Sequence, residues 1–227
     1  MPQKRISVIR KSKGFRRKDS IRETSLTMLI VCEGLTEELY FKNLRSLLSL
    51  KTTEIVIADN KKDSAPINLV KKAEELHYRD DGYDNIFCVF DKDQHQSFHA
   101  ARSKIRKLSS QKRMPIPIEE AVSIPCFEFW VLLHFKKTDM AFKSSHEIIE
   151  LLSKNRHIKH YRKCDVVLMK TLMEKVDIAL QNAIWLENLG HIQNENPMTS
   201  VHKLVQKMKD FKLNFNRKNR LKTLRVN

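Results

Sequence analysis

The chain has 227 residues, of which 41% are hydrophobic, and its formal net charge is +16 at pH 7. This length suffices for one core of ordinary size with an appendage, because a domain usually takes about 100 to 200 residues. No apolar run approaches the roughly 20 residues that a membrane-spanning helix needs, and the basic start lacks the apolar stretch of a signal peptide. We therefore expect a soluble, cytoplasmic protein.

The positive charge is concentrated at the two ends of the chain. Residues 1–22 contain nine Lys or Arg and one acid, and residues 203–227 contain the same numbers. Basic arms of this kind bind polyanions, because each Lys or Arg that neutralises a phosphate releases a condensed counterion. We expect nucleic acid as the partner, and the alternative is that the tails serve solubility alone. The residues expected to contact nucleic acid are Arg16, Arg17, Lys18, Arg217, Lys218 and Arg220.

The predicted elements alternate between strands and helices. Apolar runs predict four strands, over residues 27–32, 54–59, 85–90 and 117–122. A helical pattern follows each strand, and these four patterns cover residues 37–50, 66–79, the stretch up to 108 and the stretch up to 135. Beyond residue 143 the patterns are all helical, over 145–154, 166–189 and 198–212. This order predicts an α/β protein with a mainly parallel sheet and helices on both faces.

Acidic residues stand at the ends of two predicted strands. The first strand ends at Glu33, followed by Gly34, and the third ends at Asp91 and Asp93. Ligands of open parallel sheets bind outside the carboxyl ends of the strands, so we expect the three carboxylates to lie close together, with Gly34 providing the turn. Carboxylate oxygens suit Mg²⁺, which retains several waters and accepts phosphate oxygens. The alternative is that these acids are ordinary loop or helix-capping residues.

Five further residues are candidates for roles near these acids. Thr36 is the expected N-cap of the first helix, and Glu37 lies in its first turn, where the helix dipole favours negative charge. His95 and His99 follow the acid pair and either approach a phosphate or lie on the surface. Glu128 lies among aromatic residues and needs a partner if buried, so a role beside the metal and a structural ion pair are both open.

Four segments of the chain resemble, in order, the motifs of RloB-like proteins, a bacterial family often associated with restriction, phage-defence and abortive-infection loci. They read "LIVCEGLTEELYF", "YDNIFCVFDKD", "IPCFEFWVLLHF" and "NPMTSVHKLVQKM", and the resemblance spans roughly residues 26–210. It implies a Toprim-like fold, an α/β domain also seen in primases, topoisomerases and OLD-type nucleases. In that fold a strand-end glutamate and a D-x-D pair hold Mg²⁺.

The resemblance also implies which residues serve as metal and catalytic groups. The matching positions are Glu33 for the Toprim glutamate, Gly34 for the turn glycine, Asp91 and Asp93 for the D-x-D pair, and Glu37 and Glu128 for recurring acids of the RloB-like motifs. Many Toprim domains place a glycine shortly after the acid pair, whereas this chain reads "DKDQHQSFH". This difference weakens the case for topoisomerase or primase chemistry and favours hydrolysis.

The expected function is therefore that of a Mg²⁺- or Mn²⁺-dependent nuclease acting on DNA or RNA, tRNA included, in bacterial defence. The alternative is a non-catalytic subunit of a defence system that binds nucleic acid or senses a nucleotide, together with a partner protein from the same locus. We expect a basic arm over residues 1–25, a Toprim-like catalytic core over 26–142, a helical region packed on the core over 143–212, and a basic tail over 213–227.

Overall fold

The structure is a computed structural model that describes residues 26–57, 65–80, 82–92, 96–154, 158, 161–190 and 196–223, with side chains up to residue 214. The strands are β1 (Met28–Cys32), β2 (Thr53–Ile57), β3 (Asn85–Asp91), β4 (Ile118–Ile124) and β5 (Met198–Thr199). The helices are α1 (Leu35–Leu48), α2 (Pro66–Arg79), α3 (Phe98–Ser109), α4 (Phe127–Leu133), α5 (Ser145–Lys154), α6 (Val166–Glu174), α7 (Val176–Asn188) and α8 (Val201–Thr223).

The strands form one sheet in the order β2-β1-β3-β4-β5. The first four strands are parallel, and β5 pairs antiparallel with the end of β4. All five residues of β1 are buried, as expected for a central parallel strand that helices cover on both faces. The predicted fold class, an α/β protein with a mainly parallel sheet flanked by helices, is confirmed.

Alternate residues of the strands supply two separate hydrophobic cores. Ile30 and Cys32 of β1 face a large core that also contains side chains of α1 and of α4 to α8. Leu29 and Val31 face the second core, which contains side chains of α2 and α3. This division follows from the two-residue repeat of a strand, and burial of each large apolar side chain stabilises the fold by about 1.5–3 kcal/mol. The large core joins the C-terminal helices to the face of the sheet that carries α1.

The C-terminal part differs from the predicted helices in two places. The predicted helix over 166–189 is two helices, because the chain bends at Lys175, whose φ of −110° and ψ of 9° are not helical. The predicted helix over 198–212 begins instead with β5, and α8 then continues to Thr223. Two residues are too few to show the two-residue repeat of a strand, so the sequence does not reveal β5. The strand is recognised only by its pairing with β4.

Several predictions lie beyond what the structure describes. The arm residues Arg16, Arg17 and Lys18 fall outside the described residues, and so do the side chains of Arg217, Lys218 and Arg220. The predicted domain boundaries stay predictions. Among the described residues, no helix combines the length and the apolar character needed to cross a bilayer.

Candidate active site

The carboxyl ends of three neighbouring strands bring acidic residues to one edge of the sheet. Glu33 directly follows β1, Asp91 is the last residue of β3, and Glu128 lies in the first turn of α4, shortly after β4. Because β3 lies between β1 and β4, Asp91 is the central member of this group. Backbone hydrogen bonds continue past the strand ends, with Glu33 N donating to Val89 O at 3.0 Å.

Hydrogen bonds link the three strand ends through the acidic side chains. The Asp91 backbone N–H donates to Glu33 Oε2 at 3.2 Å. The Asp91 carboxylate accepts a hydrogen bond from the backbone N–H of Phe127, the first residue of α4. The predicted proximity of Glu33 and Asp91 is thus present in the structure, with the acids on two separate strands.

The glycine after β1 has a different role from the one we predicted. Gly34 is the N-cap of α1 with φ −134° and ψ 175°, an extended conformation that any residue adopts. A Cβ at this position would lie 2.9 Å from Glu37 Oε2. Gly34 therefore provides space for the Glu37 carboxylate rather than a special turn. The prediction of Thr36 as N-cap is wrong, since α1 begins at Leu35 and Thr36 already lies inside the helix.

Glu37 completes a group of four carboxylates, which we call the acidic cluster: Glu33, Glu37, Asp91 and Glu128. The pKa of Glu37 is raised to about 7, chiefly by burial and also by the charges of Glu33 and Glu128, while its own backbone N–H and the charge of Lys163 oppose the rise. Loss of solvation raises the pKa of Asp91 well above its usual value, and the charges of Glu37 and Glu33 add to this effect. The like charges destabilise one another, and a bound cation removes that cost.

Glu128 forms the ion pair that was one of the two alternatives from the sequence, and it lies beside the other acids. Its side chain is only 3% exposed, and Oε1 lies 3.0 Å from Lys163 Nζ and 3.4 Å from the hydroxyl of Tyr161. The Cys126 thiol also donates to its carboxylate. Glu128 is therefore part of a structural ion pair, and it is also close enough to raise the pKa values of Glu37 and Asp91.

Lys163 and Tyr161 were not predicted from the sequence as members of the site. They lie in "YRKC", a short stretch between α5 and α6 that follows no helical or strand repeat. Both residues contact Glu128, which lies more than thirty positions earlier in the chain. No local pattern in the sequence reports such a contact.

The remaining predicted residues are only partly described. Asp93 and His95 lie outside the described residues. His99 is exposed on α3, where its ring meets the Phe98 ring edge-on at a centroid distance of 5.3 Å. This position agrees with the surface alternative for His99.

The donor chemistry of the acidic cluster fits a hard divalent cation. Carboxylate oxygens are the ligands that Mg²⁺ prefers, and the mutual repulsion of the acids favours a bound positive charge. Among the residues that the structure describes, no three or more His, Cys, Asp or Glu side chains are arranged as a metal-binding group. The described oxygens of Glu33 and Asp91 instead accept hydrogen bonds from backbone N–H groups. An ionised carboxylate has two acceptor oxygens, so these backbone contacts leave acceptor sites on both side chains.

The fold and the site define an α/β protein with an acidic cluster at the carboxyl edge of a mainly parallel sheet. A family model described as RloB-like protein matches residues 28–208. The chain belongs to the RloB-like protein family, as its four ordered motifs predict. No curated protein and no solved structure matches the chain.

Proposed function

We propose that the protein is a Mg²⁺- or Mn²⁺-dependent nuclease that hydrolyses phosphodiester bonds of DNA or RNA in bacterial phage defence. The observation that supports the proposal is the acidic cluster, in which Glu33 after β1 and acids of α1, β3 and α4 share one edge of the sheet. The association of RloB-like proteins with restriction and phage-defence loci supports the biological setting.

In this proposal Glu33, Asp91 and Asp93 hold the metal ion. The ion would neutralise charge on the phosphodiester and increase the acidity of a bound water. Glu37, which is 7% exposed, would add a further carboxylate beside these ligands, and its oxygens could orient water bound there. Its carboxylate occupies space that a Cβ at residue 34 would obstruct, at 2.9 Å from Oε2.

The reaction is hydrolysis. The oxygen of a water molecule forms a bond to phosphorus, and the bond from phosphorus to one sugar oxygen breaks. One proton of the water is transferred to the leaving sugar oxygen, and the other remains with the new phosphate monoester. The basic ends of the chain hold the nucleic acid by neutralising its phosphates, so binding is expected to weaken steeply with salt.

A cleavage panel tests this proposal. Purified protein is incubated with single- and double-stranded DNA, RNA and tRNA in Mg²⁺, Mn²⁺ or EDTA. We expect cleavage that depends on the metal, and a loss of at least about 100-fold in Glu33→Gln and Asp91→Asn, as is typical for removal of a group that stabilises transition-state charge.

Glu119→Gln is the matched control for these variants. It makes the same acid-to-amide change at an exposed position near the opposite end of β4. Equal cleavage by wild type, Glu33→Gln and Asp91→Asn would refute the proposed site. Salt-dependent binding without cleavage, alone and with candidate partner proteins, would favour the non-catalytic alternative.

A further inference from the structure

The stretch that carries Lys163 lies against the acidic cluster. Lys163 Nζ is 3.0 Å from Glu128 Oε1, and the two side chains differ sharply in exposure, 63% for Lys163 and 3% for Glu128. The ammonium group thus lies at the boundary between the buried acids and solvent. A ligand that approaches the acids from solvent meets this cation.

Contacts on both sides of Lys163 hold its backbone in place. On one side the Tyr161 hydroxyl donates to Glu128 at 3.4 Å. On the other side Cys164 Sγ lies 3.8 Å from Thr36 Oγ1 in α1, and Cys164 has a φ of 61°, which is uncommon for a residue other than glycine. Asp165 then caps α6 by accepting from the backbone N–H of Val167 at 2.8 Å. The position of Lys163 is therefore determined by the fold.

The charges around Lys163 indicate that its ammonium group can bind a phosphate. A phosphodiester that enters the acidic cluster carries the same sign of charge as the four carboxylates, so it needs positive groups beside the metal. A Lys ammonium has three N–H donors, and the contact with Glu128 uses one of them. The others are available to phosphate oxygens, for which a charge-assisted hydrogen bond is favourable.

We infer that Lys163 is a phosphate-binding residue of this site and that Glu128 is its positioning residue rather than a metal ligand. The ligand is a phosphodiester of DNA or RNA, so the inference rests on the proposed function for its choice of ligand. It also gives Glu128 a definite role: the buried carboxylate holds the ammonium at the edge of the acidic cluster, with Tyr161 supporting the pair.

The test measures binding and needs no turnover. Anisotropy of short fluorescein-labelled single strands of DNA and RNA is recorded with Ca²⁺ in place of Mg²⁺, which compensates the acids while cleavage is suppressed. We expect Lys163→Met to weaken binding by about tenfold or more, the size expected for loss of a charged hydrogen bond. Lys163→Arg keeps the charge and should retain part of the affinity.

Arg162→Met is the matched control, because it removes the same charge from the adjacent, exposed position. It should change affinity by less than about threefold. Melting curves confirm that each variant is folded. If Lys163→Met and Arg162→Met weaken binding equally, or if the wild type binds neither strand, the inference is wrong.

A double-mutant cycle separates the two roles of Glu128. If Glu128 acts through Lys163, Glu128→Gln weakens binding in the wild type and has little further effect in Lys163→Met. If Glu128 is a metal ligand, Glu128→Gln weakens binding in both backgrounds and lowers Ca²⁺ affinity in calorimetry, which overturns its positioning role. A wild type that binds through Lys163 but does not cleave in Mg²⁺ refutes the nuclease proposal and leaves this inference standing.

Discussion

Helix α1 and helix α4 with its C-cap carry two polar clusters that differ in charge, one acidic and one neutral. The acidic cluster contains Glu37 of α1 and Glu128 of α4. One turn further along α1, the hydroxyl of Tyr40 lies 3.1 Å from Nε2 of His134, whose Nδ1 is 3.0 Å from the Trp130 carbonyl oxygen. We call Tyr40, His134 and Trp130 the aromatic cluster.

In the aromatic cluster the described hydrogen-bonding groups of His134 are paired. A carbonyl oxygen only accepts, so Nδ1 carries the proton and donates to Trp130 O, while Nε2 accepts from the Tyr40 hydroxyl. His134 is fully buried, and burial lowers its pKa to about 4, so the ring is neutral at physiological pH. The contacts of His134 thus need no ligand to balance their charge, although Nε1 of Trp130 in the same cluster is buried without a described hydrogen-bond partner. The acidic cluster, by contrast, concentrates like charges and is suited to a charged ligand.

The largest effect that separates the clusters is expected for Glu37→Gln. Cleavage should fall by about 100-fold or more, because the carboxylate lies beside the proposed metal ligands. In EDTA at pH 8 the same change should raise the free energy of unfolding by about 1–3 kcal/mol, since it removes a buried like charge. A cleavage assay measures the first effect, and denaturant titration measures the change in the free energy of unfolding. Glu38→Gln, in the same turn, is the control, and a Glu37→Gln variant that loses stability would contradict the comparison.

The two clusters should also give opposite pH dependences of stability in EDTA. His134 has a folded pKa of about 4, below its unfolded value, so the unfolded state binds the extra proton and stability falls as pH drops from about 6.5 to 4, by up to about 3 kcal/mol. Glu37 has a folded pKa of about 7, so the folded state holds the proton and stability rises as pH drops from about 7 to 4.5.

Unfolding free energies of Glu37→Gln and His134→Gln across this range resolve the two contributions. Glu37→Gln should lose stability more steeply than the wild type as pH falls, because the compensating carboxylate is gone. His134→Gln should lose it less steeply. If stability depends on pH in the same way in the wild type and both variants, neither Glu37 nor His134 has the shifted pKa that its surroundings indicate.

A smaller loss of stability is expected for Tyr40→Phe. The change leaves Nε2 of His134 buried without its described hydrogen-bond partner, which costs about 1–2 kcal/mol. Cleavage per folded molecule should stay unchanged, because the hydroxyl belongs to the aromatic cluster. Thermal melting and rates corrected for the folded fraction test this. A loss of activity at full folding would mean that the clusters are functionally coupled.

The smallest effect is expected for Gly34→Ala. The backbone at residue 34 accommodates alanine, but the new Cβ would displace the Glu37 carboxylate from a separation of 2.9 Å. Cleavage should fall by about three- to tenfold with little change in melting temperature, a loss of about 1 kcal/mol in transition-state stabilisation. In the Glu37→Gln background, Gly34→Ala should reduce cleavage by a smaller factor. An equal reduction of cleavage in both backgrounds would show that Gly34→Ala does not act through the Glu37 carboxylate.

The sheet and part of the acidic cluster were predictable because their signals are local. Apolar runs identified β1 and β3, and the acids at the ends of these runs, Glu33 and Asp91, were identified by their position. The reason for Gly34 was not predictable, since it depends on where a side chain of the next helical turn lies. Lys163 was missed because its ion pair with Glu128 is a tertiary contact, and β5 was missed because two residues form a strand only beside β4.

Strand β5 has a consequence for how molecules of this protein meet in solution. An unpaired sheet edge is a template on which strands of other chains add, and natural proteins protect such edges with short strands and charged side chains. Among the described residues, β5 pairs with β4 at Ser123 and Ile124 alone, while the earlier part of β4 carries Glu119 and Glu120. Arg102 forms a 2.7 Å ion pair with Glu120 beside this edge. A short closing strand and adjacent charges thus disfavour the addition of further strands at the β4–β5 edge of the sheet.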